Sequence, residues 1–372
     1  MAERIVVAVV GVGGWGQNLL RNFGTLPGAR LKWVCDLAEP ARAAARAAYP
    51  AVSCVSAYER VFADPEVQAV VIATDARSHH AIASAALRAN KDVFVEKPMA
   101  LSTADAEDLC ELAERRGRIL MVGHLLLYHP ALEAVRRLME EGELGEVVCL
   151  YAQRLSLGLV RRDENAWWSL APHDIAVANH LLGEEPEAIA ATGGAFSQRS
   201  TEVKDVVFAT LRYPSRRLAH IHVSRLEPQK TRLLTVVGEA KVAVFDDTSA
   251  DHKLVLFDKG AEPARAASHA AGGGVQTGAI HVPSLRMHEP LRRECEAFLR
   301  AVETRRPPLA DGRSGLAVVR ALEAGTRALE RGSSSRGMGS AALPARCGAR
   351  EHPALAGPAA GFAARSSEHR SK

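Results

Sequence analysis

Three stretches of the chain bring together residue types whose spacing suits chemistry. In "GVGGWG", Gly11, Gly13 and Gly16 form G-x-G-x-x-G. The first glycine permits a tight turn, the second lets backbone approach a diphosphate, and the third allows close helix-strand contact. Asp36 stands twenty residues after Gly16, where a carboxylate accepts hydrogen bonds from ribose hydroxyls and repels a 2′-phosphate; it could also cap the helix that follows. In "EKPMA", Glu96, Lys97 and Pro98 follow the apolar run "DVFV". The third stretch is "WWSLAPHDIAVANHLLG", Trp167 to Gly183, with two adjacent tryptophans, a Pro-His-Asp triplet and His180. Histidine, with an ordinary pKa of about 6.5, is matched to proton transfer at neutral pH, so His173 is the candidate general base. Asp174 either orients that imidazole or caps a helix starting after Pro172. His180 lies two turns further on, but zinc would want a third ligand and no close His/Cys/Glu cluster supplies one, so no metal is expected.

The elements that position these residues follow from periodicity. "RIVVAVVGVGGWGQNLLRNFGTLPGARLKWVCD" is a β-branched run, a glycine turn, an amphipathic helical stretch and a second apolar run ending in Asp36. That is a βαβ unit, with a dinucleotide diphosphate expected on the helix N-terminus. Gly14 and Trp15 lie in the same turn. Strand-helix alternation continues through "VQAVVIATDARSHHAIASAALRAN", "KDVFVEKPMALSTADAEDLCELAERRG" and "RILMVGHLLLYHPALEAVRRLMEEGEL", which predicts a doubly wound parallel sheet with its ligand at the carboxyl strand ends. After Gly145 come short runs, several alternating with period two ("EVVCLYAQRLSL", "AIAATGGAF", "DVVFATLRY", "RLAHIHVSR", "TRLLTVVGE", "KVAVFDD", "KLVLFD"), as expected of an antiparallel sheet with one packed face. Helical stretches near 288–304 and 312–331 close the fold. The expected fold is α/β: an N-terminal Rossmann domain over 1–124 and a C-terminal α+β domain over 125–331 with a large open, mostly antiparallel sheet. Residues 332–372, rich in Ser, Gly, Ala, Pro and Arg without apolar periodicity, are expected to be disordered.

With 372 residues, 47% of them hydrophobic, the chain can build two cores. Lys plus Arg total 47 against 43 Asp plus Glu, and a formal charge of +4 spread along the chain gives no basis for nucleic-acid binding. The six cysteines include no C-x-x-C pair; reduced thiols and a cytoplasmic location are expected. No apolar run is long enough for a membrane span, and the N-terminus is too short and glycine-rich for a signal peptide.

Beyond these readings, the sequence resembles the glucose-fructose oxidoreductase / inositol dehydrogenase / MocA family over about residues 4–331. The resemblance rests on the glycine loop, Ala73-Thr74 with His79 following, "EKPMA", and the His173 segment ending in Leu-Leu-Gly. It implies a Rossmann domain that binds NAD, favoured over NADP by Asp36, with Gly11, Gly13, Gly14, Trp15, Gly16, Asp36, Thr74, His79, Glu96 and Lys97 at the cofactor. It implies that Lys97 hydrogen-bonds the substrate hydroxyl and the nicotinamide ribose; such a lysine is expected to have a lowered pKa. It gives His173 the catalytic histidine position. Two departures are Asp75, where the family often has proline, and Ser169, where it typically has an aspartate.

"RLSLGLVRRDENAWWSLAPHDI" further resembles a subgroup acting on nucleotide sugars, the UDP-N-acetyl-2-amino-2-deoxyglucuronate dehydrogenases, which oxidise the sugar at C3. That resemblance implies substrate contacts from Lys97, Arg154, Arg161, Asn165, Trp168 and His173. Arg154, Arg161 and Arg162 on one segment suit a diphosphate and a sugar carboxylate. One of Trp167 and Trp168 is expected in the core. A 2-oxo acid is an expected re-oxidant of NADH, and the open sheet an expected face for a homo-oligomer, dimer or tetramer. The alternative is a dehydrogenase or ketoreductase for another sugar, NDP-sugar or inositol; retention of both Lys97 and His173 argues against a further class, a non-catalytic dinucleotide-binding regulator.

Overall fold

The computed structural model describes residues 4–158, 165–197, 203–259 and 277–334. Its first half runs β1 (Ile5–Val10), α1 (Gly16–Thr25), β2 (Ala29–Cys35), α2 (Glu39–Ala48), β3 (Ser53–Val55), α3 (Tyr58–Phe62), β4 (Ala69–Ile72), α4 (Ala76–Arg88), β5 (Asp92–Glu96), α5 (Thr103–Arg116) and β6 (Leu120–Gly123). The six strands pair in parallel in the order β3-β2-β1-β4-β5-β6. The strand order reverses between β1 and β4, and that switch point opens a crevice at their carboxyl ends. β1 shows why its residues are apolar without alternation. Val7 and Val9 enter one hydrophobic core, Val6, Ala8 and Val10 the other, so neither face meets water. Helix starts are fixed locally: the Asp75 side chain accepts from Arg77 N–H to cap α4, and Ser102 accepts from Asp105 N–H to cap α5.

A 3-10 turn (Leu125–Tyr128) leads into α6 (Pro130–Glu140), β7 (Val147–Leu157), α7 (Ala166–Leu182), β8 (Ala188–Gly194), β9 (Val206–Arg212), β10 (Leu218–Ser224), β11 (Leu226–Gly238), β12 (Lys241–Asp246), β13 (Leu254–Lys259), β14 (Thr277–His281), α8 (Pro290–Thr304) and α9 (Gly312–Ser334). The eight strands form one sheet in the order β14-β13-β12-β11-β7-β10-β9-β8. All neighbours are antiparallel except β7 and β10. That parallel pair is not visible in the strand pattern; it arises because β7 sits in the middle, with β8–β10 added on one side and β11 on the other. α8 and α9 then return to the Rossmann half. Phe298 of α8 packs edge-on against Phe23 of α1 and Phe94 of β5, at 6.2 and 5.7 Å between ring centroids, and α9 packs against α5, α7 and β8.

The structure corrects the expected start of α7. The helix begins at Ala166, capped by Asn165, whose side chain accepts from Trp168 N–H, and Pro172 lies inside it. Asp174 therefore caps nothing. The proline has no N–H for the carbonyl one turn back, yet α7 continues because its apolar residues are buried along its length. Of residues 332–372, expected to be disordered, 332–334 instead complete the last turn of α9, while the remainder, like Arg161 and Arg162, lies outside the described residues. Among the described residues no helix is long and apolar enough to cross a membrane, and Cys35, Cys54, Cys110, Cys149 and Cys295 are free thiols.

Candidate active site

A cleft of about 1440 Å³ runs from the glycine loop across the carboxyl ends of the parallel strands to the inner face of the eight-stranded sheet. Its near wall is built by the first motif. Gly11 takes φ +86°, and a Cβ there would lie 2.7 Å from the Ala73 carbonyl, so only glycine allows β1 to turn this closely past the end of β4. Gly13 and Gly14, by contrast, face open space in the cleft. α1 starts with no side chain capping its N-terminus, so an anion can take the place of a cap. These residues fit a dinucleotide diphosphate. Asp36 ties the loop down as well: one carboxylate oxygen accepts from Val12 N–H and the other from Ala38 N–H, both at 2.8 Å.

Glu96 closes β5 beneath this loop. The Trp15 indole N–H donates to its carboxylate at 2.5 Å. Burial pushes Glu96 up to about 7, opposed by Trp15 and Lys97. His79 is fully buried, with its ring nitrogens 2.8 Å from the Pro98 carbonyl and 3.1 Å from that of Thr74. Burial lowers its pKa, and a neutral ring can donate to only one of the two. His79, itself part of the cleft lining, thus holds the Lys97–Pro98 turn, whose peptide bond is cis. The Thr74 hydroxyl accepts from Ser78.

The far wall comes from α7 and the second sheet. Lys97 Nζ donates to the Ser169 carbonyl at 3.0 Å, bridging the two halves of the site. Ser169, His173 and Trp168 line the cleft. Helix rotation separates the two tryptophans. Trp167 is buried, donating to the Leu322 carbonyl and packed so closely on Gly325 of α9 that a Cβ there would lie 2.6 Å from the indole. Trp168 consequently faces the cleft, its indole N–H donating to the Thr326 hydroxyl at 2.9 Å. His173 has its Nδ1 buried without a hydrogen-bond partner among the described residues. Its pKa is lowered well below the ordinary value, first by burial and then by Lys97, Arg154, His124 and Arg232, so it is a neutral proton acceptor at neutral pH.

Asp174 does not orient that imidazole. It forms a buried two-pronged pair with Arg154, at 2.9 and 2.8 Å. Arg154 on β7 stands directly opposite Arg232 on β11, and Arg232 donates to Asp247 at 3.0 Å. Arg225, between β10 and β11, donates to the Ser169 hydroxyl. Arg225, Arg232 and Asp247 all line the cleft, and sequence reasoning missed them. Arg232 sits in an ordinary alternating strand, and only its register opposite Arg154 marks it. Like charges directly across strands are destabilising, and here each arginine is matched to a carboxylate, Arg154 to Asp174 and Arg232 to Asp247.

Comparison with known proteins agrees with this architecture. Residues 5–124 match the GFO/IDH/MocA oxidoreductase model, described as an NAD-binding Rossmann fold, and residues 132–244 match the family's C-terminal domain. The chain belongs to the GFO/IDH/MocA family. Its members' NAD-binding domain is the one whose glycine loop lines the cleft, and the family comprises sugar and polyol oxidoreductases. UDP-N-acetylglucosamine 3-dehydrogenase of Acidithiobacillus ferrooxidans is 28% identical over 317 residues, 84% of this chain and 93% of that protein. A solved structure of that enzyme superposes with a TM-score of 0.77 at 25% identity, covering 88% of this chain and 98% of the other. The scyllo-inositol 2-dehydrogenase (NAD(+)) of Bacillus subtilis is 26% identical over 272 residues, 70% of this chain and 79% of that protein.

Proposed function

We propose that the protein oxidises the C3 hydroxyl of a UDP-linked N-acetylated hexuronate, with NAD as hydride acceptor. The observation that carries the proposal is the facing pair of arginines, Arg154 and Arg232, on the inner face of the cleft that also holds Lys97 and His173. Similarity to a UDP-N-acetylglucosamine 3-dehydrogenase supports both the nucleotide sugar and the position oxidised. NAD, when bound, supplies the redox chemistry. His173 takes the proton of the sugar hydroxyl, and Lys97, held by the Ser169 carbonyl, polarises that oxygen. Trp168 and Asn165 border the sugar, while Arg154, Arg225 and Arg232 hold its anionic groups. Gly11, Gly13, Gly14, Trp15, Gly16, Asp36, Thr74, His79 and Glu96 surround the cofactor.

Alcohol oxidation by NAD is uphill near neutral pH, so a 2-oxo acid such as 2-oxoglutarate is the expected re-oxidant. The test offers UDP-N-acetylglucosaminuronate, UDP-N-acetylglucosamine, myo-inositol and glucose, each with NAD and with or without 2-oxoglutarate, and follows the keto product by mass. Turnover confined to free polyols overturns the nucleotide-sugar reading. Preference for uncharged UDP-N-acetylglucosamine removes only the carboxylate part.

NAD is expected to bind at least about tenfold more tightly than NADP, the worth of one charge-assisted hydrogen bond. Asp36→Asn, which keeps one acceptor for the loop backbone, narrows that gap; titrating both cofactors into each protein measures it. The outer face of the eight-stranded sheet exposes Tyr151, Phe208 and Leu218, and a homo-oligomer is expected to cover it. Light scattering gives its size, and a Phe208→Asp variant should dissociate.

A further inference from the structure

Glu294 of α8 is fully buried, and neither of its carboxyl oxygens has a hydrogen-bond partner among the described residues. A carboxylate in that position is too costly to hold its charge, so the group is a neutral acid. Its neighbour follows from the packing. Phe298, one helical turn later on the same face of α8, meets Phe94 of β5, and Glu96 is two residues further along β5 on the same side as Phe94. The layer above the aromatic contact is therefore carboxyl against carboxyl. Glu96 is the member of the pair that reaches the cleft, beside Trp15 and Lys97.

We propose that Glu96 and Glu294 form a buried carboxyl pair that answers the charge on the nicotinamide: Glu294 keeps its proton throughout, and Glu96 loses one to solvent when the oxidised, cationic cofactor occupies the cleft but not when the reduced, neutral form does. Lys97 at the end of β5, the Trp15 indole before α1 and Glu294 on α8 are the polar groups bearing on Glu96. On Glu294 it is Glu96, with Tyr128 of the 3-10 turn and Cys295 close by. Burial drives Glu294 well above the usual carboxyl range, and the same cause holds Glu96 at about 7, so only Glu96 titrates near neutrality. A cation beside a half-protonated carboxyl favours its ionised form. The proposal uses the cofactor alone and does not depend on which sugar is oxidised.

The sign follows by linkage. Because the oxidised cofactor binds the form of the protein that lacks the Glu96 proton, its affinity should rise by about tenfold from pH 6 to pH 8 and level off above, while that of the reduced cofactor stays flat. Calorimetric titration in two buffers of different ionisation enthalpy, using the protein without substrate, counts protons directly. The expected result is release of about half a proton per NAD+ at pH 7 and none with NADH. The release is abolished by Glu96→Gln and retained in Glu294→Gln, which keeps the shape of a neutral acid. In the cofactor-free protein, infrared spectra at pH 8 should show the band of a protonated carboxylic acid, lost in Glu294→Gln. Equal release with both cofactor forms overturns the proposal without recourse to any variant. Release surviving in Glu96→Gln, or disappearing in Glu294→Gln, overturns the division of roles, and absence of the acid band overturns the standing proton on Glu294.

Discussion

Alanine in place of His173 lowers turnover by about 100-fold or more, the usual consequence of losing a positioned base, and leaves NAD affinity close to that of the unaltered protein. The imidazole lines the substrate end of the cleft and lies on α7, away from the glycine loop. Its pKa is lowered well below the usual histidine value, so the neutral, proton-accepting form already dominates at pH 7. An acid limb in the rate caused by His173 should therefore lie below about pH 6.5, its unperturbed value. Lys97→Ala is expected to cost a similar factor, because it removes both the donor to the reacting oxygen and the bridge to the Ser169 carbonyl. Stopped-flow measurement of hydride transfer reads both effects. Parent rates in either variant would remove that residue from the proposed chemistry.

Asp174→Ala should be the most damaging change to stability in the site, at about 3–5 kcal/mol, because it leaves the Arg154 guanidinium buried without its counter-charge. The side chains of the pair are only 10% and 6% exposed, so water cannot take over the role of the carboxylate. Arg232 stands directly opposite and adds repulsion once Asp174 is gone. Denaturant unfolding measures the loss. A change below about 1 kcal/mol, the range of exposed ion pairs, would show that the pair is solvated in solution. Replacing Arg154 and Asp174 together by leucines should restore much of the stability while abolishing substrate binding, which separates the two roles of the pair.

The glycine loop, Asp36 and the strand-helix alternation were legible because their constraints are local. Gly11 must be glycine for a backbone reason that spans a few ångströms, and β1 is apolar on every residue because both its faces are covered. "EKP" and the His173 segment were found by resemblance, and the structure brings Lys97 and His173 to one cleft. Less could be read where a partner lies far along the chain. Asp174 was assigned to the adjacent imidazole or to a cap, but its partner is Arg154, twenty residues earlier on the neighbouring strand. Asn165, proposed as a substrate contact, also proves to be the cap of α7.

The sequence by itself determined the two kinds of element, the turn that can cradle a diphosphate, and the side chains able to move a proton. Each depends on a few consecutive residues, through steric limits on the backbone or the intrinsic chemistry of a side chain. Tertiary structure alone decided which tryptophan faces the cleft, since Gly325 on α9, 158 residues from Trp167, leaves the space that fixes how α7 is turned. It also decided that Arg232 opposes Arg154, through the register of β7 and β11, and that Glu294 lies beside Glu96, through the seating of Phe298 on Phe94. Strand register and helix rotation are set by packing of the whole core, and no local pattern encodes which distant residue a side chain will meet.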